Sequence, residues 1–151
     1  MNTMSNRIGQ SLALVLALAC TVPALAQSQP RTLNPQQLQS YWILLNTQVS
    51  ADIPNSGRNM DKPGCAAVSY TINSDGVPGN IQIAKVVPDS DLGVVAKSVI
   101  SNFSYGPSLA NATKKEPVAT YYIVPFNLPS DKGQRQQIID ACKLPGYDKK
   151  D

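Results

Sequence analysis

Residues 64–129, GCAAVSYTINSDGVPGNIQIAKVVPDSDLGVVAKSVISNFSYGPSLANATKKEPVATYYIVPFNLP, decide the fold. Ala66, Val68, Tyr70 and Ile72 alternate with Ala67, Ser69 and Thr71, the period of two that predicts a half-buried strand with one wet face. Asn73-Ser74-Asp75-Gly76 follows, and Asp-Gly tolerates the positive φ angles of a tight reversal. On the returning strand Ile81 and Ile83 point one way and Asn80, Gln82 and Ala84 the other, with Val86 and Val87 closing it before Pro88. Asp89 or Ser90 can then cap a helix on which Leu92, Val95, Ala96, Val99, Ile100 and Phe103 recur at three- and four-residue spacing. Beyond a turn-rich connection, Val118, Thr120, Tyr122, Val124, Phe126 and Leu128 take alternate positions of a last strand. The expected class is α+β, a small three-stranded antiparallel sheet with helices packed on it, in the order α-β-β-α-β plus a C-terminal helix.

Outside this stretch, Arg7, the apolar run 12–22 and Ala24-Leu25-Ala26 have the layout of an export signal, too short to span a bilayer comfortably. Cleavage between Ala26 and Gln27 is expected. The rival is a lipoprotein signal built on Cys20, but Ala17-Leu18-Ala19 displaces the leucine from its usual Leu-small-small-Cys place. About 125 residues remain, enough for one domain. They divide into a signal (1–26), a flexible arm (27–33), one domain (34–144) and a tail (145–151). Asn34, Pro35 and Gln37 have the spacing of a capping box ahead of a helix carrying Leu38, Trp42, Leu45 and Val49. Ser130 or Asp131 can cap the last helix, which has only Ile138, Ile139, Ala141 and Cys142 to dock it. The expected core sets Leu38, Trp42 and Leu45 against Val68, Tyr70, Ile81, Ile83, Val99, Phe103, Tyr122, Val124 and Phe126.

Export leaves two cysteines, Cys65 and Cys142, in a compartment where thiols oxidise. Two cysteines permit one internal bridge, closing a loop of about 76 residues, worth roughly 4 kcal/mol in the chain-entropy model. There is no Cys-x-x-Cys spacing, which favours a structural bridge over a redox one.

The chain has no histidine, and so lacks the commonest general base, nucleophile activator and metal ligand. Ser69, Ser98 and Ser101 have neither a Gly-x-Ser-x-Gly setting nor a base, and Gly76-x-x-Gly79 lies in a hairpin with no helix following to hold a phosphate. Asp75, Asp89 and Asp91 have turn and capping roles to fill. No catalytic residue, metal ligand or cofactor site emerges, and an enzyme is not expected. The formal charge of +3 is spread, and Lys114-Lys115 and Lys149-Lys150 are short pairs, so nucleic acid is not an expected partner.

The order strand, Asp-Gly hairpin, strand, Pro88-Asp89-Ser90-led helix, Phe103-x-Tyr105-x-Pro107, Lys115-x-Pro117-Val118 and Val124-Pro125-Phe126-Asn127-Leu128 resembles the C-terminal domain of TonB-like energy transducers, with the TolA domain a near neighbour. The resemblance covers roughly half of the mature chain and implies a protein-binding module of a Gram-negative envelope, periplasmic or secreted. In that pattern the last strand, here Val118, Ala119, Thr120, Tyr121, Tyr122, Ile123 and Val124, receives an extended segment of a partner, such as an outer-membrane receptor of TonB-dependent transport. Ala119, Tyr121 and Ile123 would then lend selectivity, while Pro125 removes a donor and blunts that edge. Whether the C-terminal helix covers the edge stays open. No membrane span is expected in the mature chain, and the long Pro-rich spacer of a transducer has no counterpart in it. The alternative is a structural or inhibitory envelope protein that self-associates, as a homodimer for instance, or blocks an enzyme. On the export reading, the mass of the mature N-terminus should show free Gln27; a lipid-bearing Cys20 would overturn soluble export.

Overall fold

The computed structural model describes residues 29–46 and 48–147. In chain order they form β1 (Arg31–Thr32), α1 (Pro35–Leu38), β2 (Trp42–Leu44), β3 (Gly64–Ile72), β4 (Pro78–Val87), α2 (Leu92–Ser101), β5 (Tyr105–Pro107), a 3-10 turn (Leu109–Asn111), β6 (Val118–Phe126) and α3 (Lys132–Ala141). The class is the expected α+β, and β3, β4 and β6 are the three antiparallel strands. A fourth, two-residue strand, β1, pairs parallel to β6 and gives the order β1-β6-β3-β4, while β2 and β5 form a separate antiparallel ribbon. Arg31 and Thr32, expected in a flexible arm, are therefore part of the sheet.

β3 lies in the middle, and every residue of it except Ser69 is buried. This corrects the expectation of a wet face. Ala66, Val68, Tyr70 and Ile72 share a core with Ala96, Ile100 and Phe103 from α2 and its exit. Cys65 and Ala67, on the opposite face, pack with Tyr121 and Cys142 and with half-buried Ile138, Leu144 and Tyr147. Both faces of the strand are covered because the C-terminal segment folds back across the second one. The Cys65–Cys142 disulfide, with Cα atoms 6.1 Å apart, ties it there as expected.

The Asp-Gly hairpin forms, with Gly76 at φ 81° and the Asp75 carboxylate accepting from the Val77 amide at 3.0 Å. Gly76 is needed for a second reason: a Cβ there would collide with the Tyr105 carbonyl oxygen. The Tyr105 amide donates to the Gly76 carbonyl at 3.0 Å, docking β5 on the turn.

The first helix starts as expected and stops early. The Asn34 side chain accepts from the Gln37 amide at 2.8 Å, Gln37 reaches back to the Asn34 amide at 3.4 Å, and Pro35 opens the helix. The helix ends at Leu38, however, and Trp42 begins β2 instead of continuing an apolar stripe. Tyr41-Trp42-Ile43-Leu44 is a run of β-favouring residues, and β5 offers it a ladder. The Trp42 indole donates to the Glu116 carbonyl at 2.9 Å and is buried, while Leu45, expected in the core, is 64% exposed. Ile83 and Tyr122 also lie more outward than expected, at 41% and 38%.

Neither expected residue caps α2. Asp91 holds the N-cap position without a side-chain capping bond, accepting instead from the Arg58 amide at 2.7 Å. Asp89 pairs with the Arg58 guanidinium at 3.0 Å, so these acids tie the preceding loop to the helix start. At α3 Asp131 is the cap, accepting from the Gln134 amide at 2.8 Å.

Phe103 is 7% exposed and meets the rings of Tyr105 and Tyr122 edge to face, with centroids 6.1 and 5.3 Å apart. Phe103→Ala should cost about 3–5 kcal/mol in urea unfolding. A loss below about 1 kcal/mol would show that this aromatic cluster does not hold α2 to the sheet.

Candidate functional site

The two long edge strands of the main sheet, β4 and β6, are not equivalent. The β3–β4 ladder is broken by two register shifts, between Ala67 and Val68 and between Ser69 and Thr71, and Asn80 within β4 has φ 51°. Bulges of this kind, with exposed Lys85 on the same strand, twist an edge away from further pairing. The β3–β6 ladder runs without a shift from Gly64 opposite Phe126 to Ile72 opposite Val118.

The direction of the β6 backbone groups follows from one bond. The Leu33 amide donates to the Ala119 carbonyl at 2.9 Å, from the side away from β3. Since amide groups alternate along an antiparallel strand, Ala119, Tyr121, Ile123 and Pro125 direct theirs outward, and Thr120, Tyr122 and Val124 direct theirs toward β3. β1 covers the outward edge only at Val118 and Ala119. Pro125 lacks an amide proton on that same outward side. The groups that can meet an added strand are the N–H and C=O of Tyr121 and Ile123 and the C=O of Pro125.

A groove of about 540 Å³ is lined by Pro35, Leu38, Trp42 and Ile43 together with Tyr105, Tyr121 and Tyr122, and it has no charged residue in its walls. The wall from α1 and β2 was not legible as part of a site, because this segment read as one continuous helix. Its signal was the Tyr41–Leu44 run of β-formers.

The side chains of the expected strand divide as follows. Val118 and Thr120 are fully buried, and Ala119, Ile123 and Val124 are half-buried. Tyr121, expected on the outside, is only 5% exposed, because Tyr147 from the expected tail lies against it with ring centroids 4.7 Å apart. Tyr122, on the α2 face, is the exposed member. The Thr120 hydroxyl is buried without a hydrogen-bond partner.

Behind the groove the Tyr70 and Tyr105 hydroxyls share a 2.6 Å hydrogen bond. Burial pushes the Tyr105 phenol up to about 12, with nearby Tyr122 adding to the rise and the bond from Tyr70 offsetting part of it. Burial raises Tyr70 too, and Tyr105 reinforces this by charge and hydrogen bond. Neither phenol can serve as a base near neutrality. Among the described residues no three His, Cys, Asp or Glu side chains gather as a metal would need, and no helix is long and apolar enough to cross a membrane.

The model of the Gram-negative bacterial TonB protein C-terminal family matches residues 53–128. The chain belongs to that family. TonB C-terminal domains make protein contacts in the envelope and are interaction domains, not catalysts. A search of solved structures finds the solution NMR structure of the Pseudomonas aeruginosa TonB C-terminal domain, 19% identical, with a TM-score of 0.39, covering 60% of this chain and 90% of that one. No curated protein matches. The TonB-matched stretch holds β3, β4, α2, β5 and β6; β1, α1 and β2 precede it and α3 with Cys142 follows it.

The buried tyrosine pair generates a pH dependence. Because the folded phenols hold their protons above the ordinary value near 10, the native state binds more protons than the unfolded chain at alkaline pH. Stability should be intact below pH about 10 and fall as the pH rises toward 12, as read by urea midpoints. Tyr105→Phe should flatten that fall; an equally steep fall in the variant would assign the effect to other groups.

Proposed function

We propose that this chain is a periplasmic protein-binding module that takes an extended segment of an envelope protein onto the outer edge of β6, in TonB-dependent transport or a related process. One observation carries this reading. The outward groups of Tyr121 and Ile123 have no strand beside them and border an uncharged groove, while bulges blunt the opposite edge, β4. Main-chain hydrogen bonds would supply affinity, and the groove side chains, Tyr122 and Ile43 foremost, would supply selectivity. The disulfide and the Gram-negative family both favour an oxidising envelope compartment. The same reading takes residues 31–147 as the domain, wider than the expected 34–144 because β1 pairs with β6 and Tyr147 packs on Tyr121. It puts export cleavage between Ala26 and Gln27, which, like Cys20, lie outside the described residues.

The test is capture from envelope extract by wild type and Ile123→Pro, identified by mass spectrometry. Ile123→Pro removes an outward donor and leaves the ladder to β3 intact, so it should stay folded by circular dichroism and lose most capture of a receptor-type barrel. Thr120→Pro, which removes an inward donor, should unfold. A folded Ile123→Pro that captures the same barrel at wild-type strength would overturn the site. Recovery of only a hydrolase, or of this chain itself, would favour the inhibitory or self-associating alternative.

A further inference from the structure

We propose that α3 and the residues after it to Tyr147 form a lid that the Cys65–Cys142 disulfide fastens over the second face of the sheet. Reduction releases this lid while the rest of the domain keeps its fold. The lid does not depend on whether β6 takes a partner.

Ten residues make α3, and none of them is buried. A helix this short is marginal alone, so its presence needs an external hold. Ile138, Leu144 and Tyr147 are the half-buried apolar residues it and its extension set on the sheet, whereas Cys142, at the helix end, is wholly buried. Cys65 lies at the start of β3, in the most enclosed strand of the molecule, so the bridge joins the least buried helix to the most buried strand. α3 also lies beyond the family-matched stretch, which ends at residue 128 and already contains β3, α2 and β6 with their shared core. That core loses no member when α3 departs.

The chemistry is ordinary thiol–disulfide exchange. One thiolate of a dithiol reductant attacks the Cys142 sulfur, the S–S bond breaks, and Cys65 leaves as thiolate and takes a proton. The second thiol of the reductant then attacks the mixed disulfide, freeing Cys142 and closing the reductant's own disulfide. Two electrons and two protons pass to the protein. Both sulfurs are buried, so attack follows fraying of the α3 end. Release uncovers Cys65, Ala67 and Tyr121, and the domain thereby converts the redox state of its surroundings into exposed apolar surface beside β6.

Hydrogen–deuterium exchange on the full mature chain tests this, comparing oxidised protein, protein reduced with dithiothreitol, and Cys142→Ser without reductant. In both bridge-free forms the amides of 135–142 should exchange at least about tenfold faster, while those of β3 and of Thr120 and Tyr122 stay protected. Tyr147→Ala, with the bridge intact, should leave α3 protected. The proposal fails if α3 keeps its protection without the bridge. It fails equally if β3 loses protection together with α3, which would make the helix part of the core.

Discussion

Everything in this domain is placed by the double enclosure of β3. Its backbone groups are taken up by ladders on both sides, and its side chains are covered on both faces. An enclosed strand must keep its register, because a one-residue slip would exchange its two sets of contacts. Tyr70 would leave its bond to Tyr105, and Cys65 would turn from Cys142 toward the α2 side. With β3 fixed, β6 inherits a shift-free register and hence a definite set of outward backbone groups. The candidate edge is in that sense a consequence of the core.

The elements with strong local signals were legible from the sequence: the hairpin through Asp75 and Gly76, the apolar face of α2, the last strand, the Asn34–Gln37 box and the disulfide. The error at Trp42 has a physical origin. Leu38, Trp42, Leu45 and Val49 satisfy a helical stripe, but the ladder with β5 and the indole bond to Glu116 exist only once residues more than sixty positions away have folded. Tertiary pairing outweighed a local pattern whose propensities were weak in the first place. The wet face expected on β3 failed for a similar reason. Ala67 and Ser69 are small, and nothing in a period-two pattern says that a later helix will be tied across their face.

Of the site, the strand was legible and its orientation was not. Alternation separates 118, 120, 122 and 124 from 119, 121 and 123, but it does not say which backbone groups meet β3 or which ring a distant tail will cover. The Leu33–Ala119 bond settles the first and Tyr147 against Tyr121 the second. Pro125 then changes meaning. Read alone it blunts an edge; placed on the outward side it ends the open part of that edge just as β1 begins it. What remains between them is Tyr121 to Pro125, a short run with a defined number of donors.

The segments outside the TonB-matched stretch are not dispensable decoration on that run. β1 stops just before it, at Val118 and Ala119, α1 and β2 build the groove wall beside Tyr122, and the C-terminal segment presses on Tyr121 from the other face. On the proposed reading the family fold supplies the edge strand, whose hydrogen bonds would accept any extended chain and so would discriminate poorly. Discrimination would then come from side chains flanking the edge, and here the groove joins residues before the shared fold, from Pro35 to Leu44, with Tyr105, Tyr121 and Tyr122 within it. Because the groove wall is uncharged and rich in aromatic and aliphatic surface, it would, on the proposed reading, penalise a partner segment that places a charged residue against it, which would be desolvated without a counter-charge. On that reading the edge would decide that a strand can be added, and the groove that α1 and β2 build beside Tyr122 would decide which one.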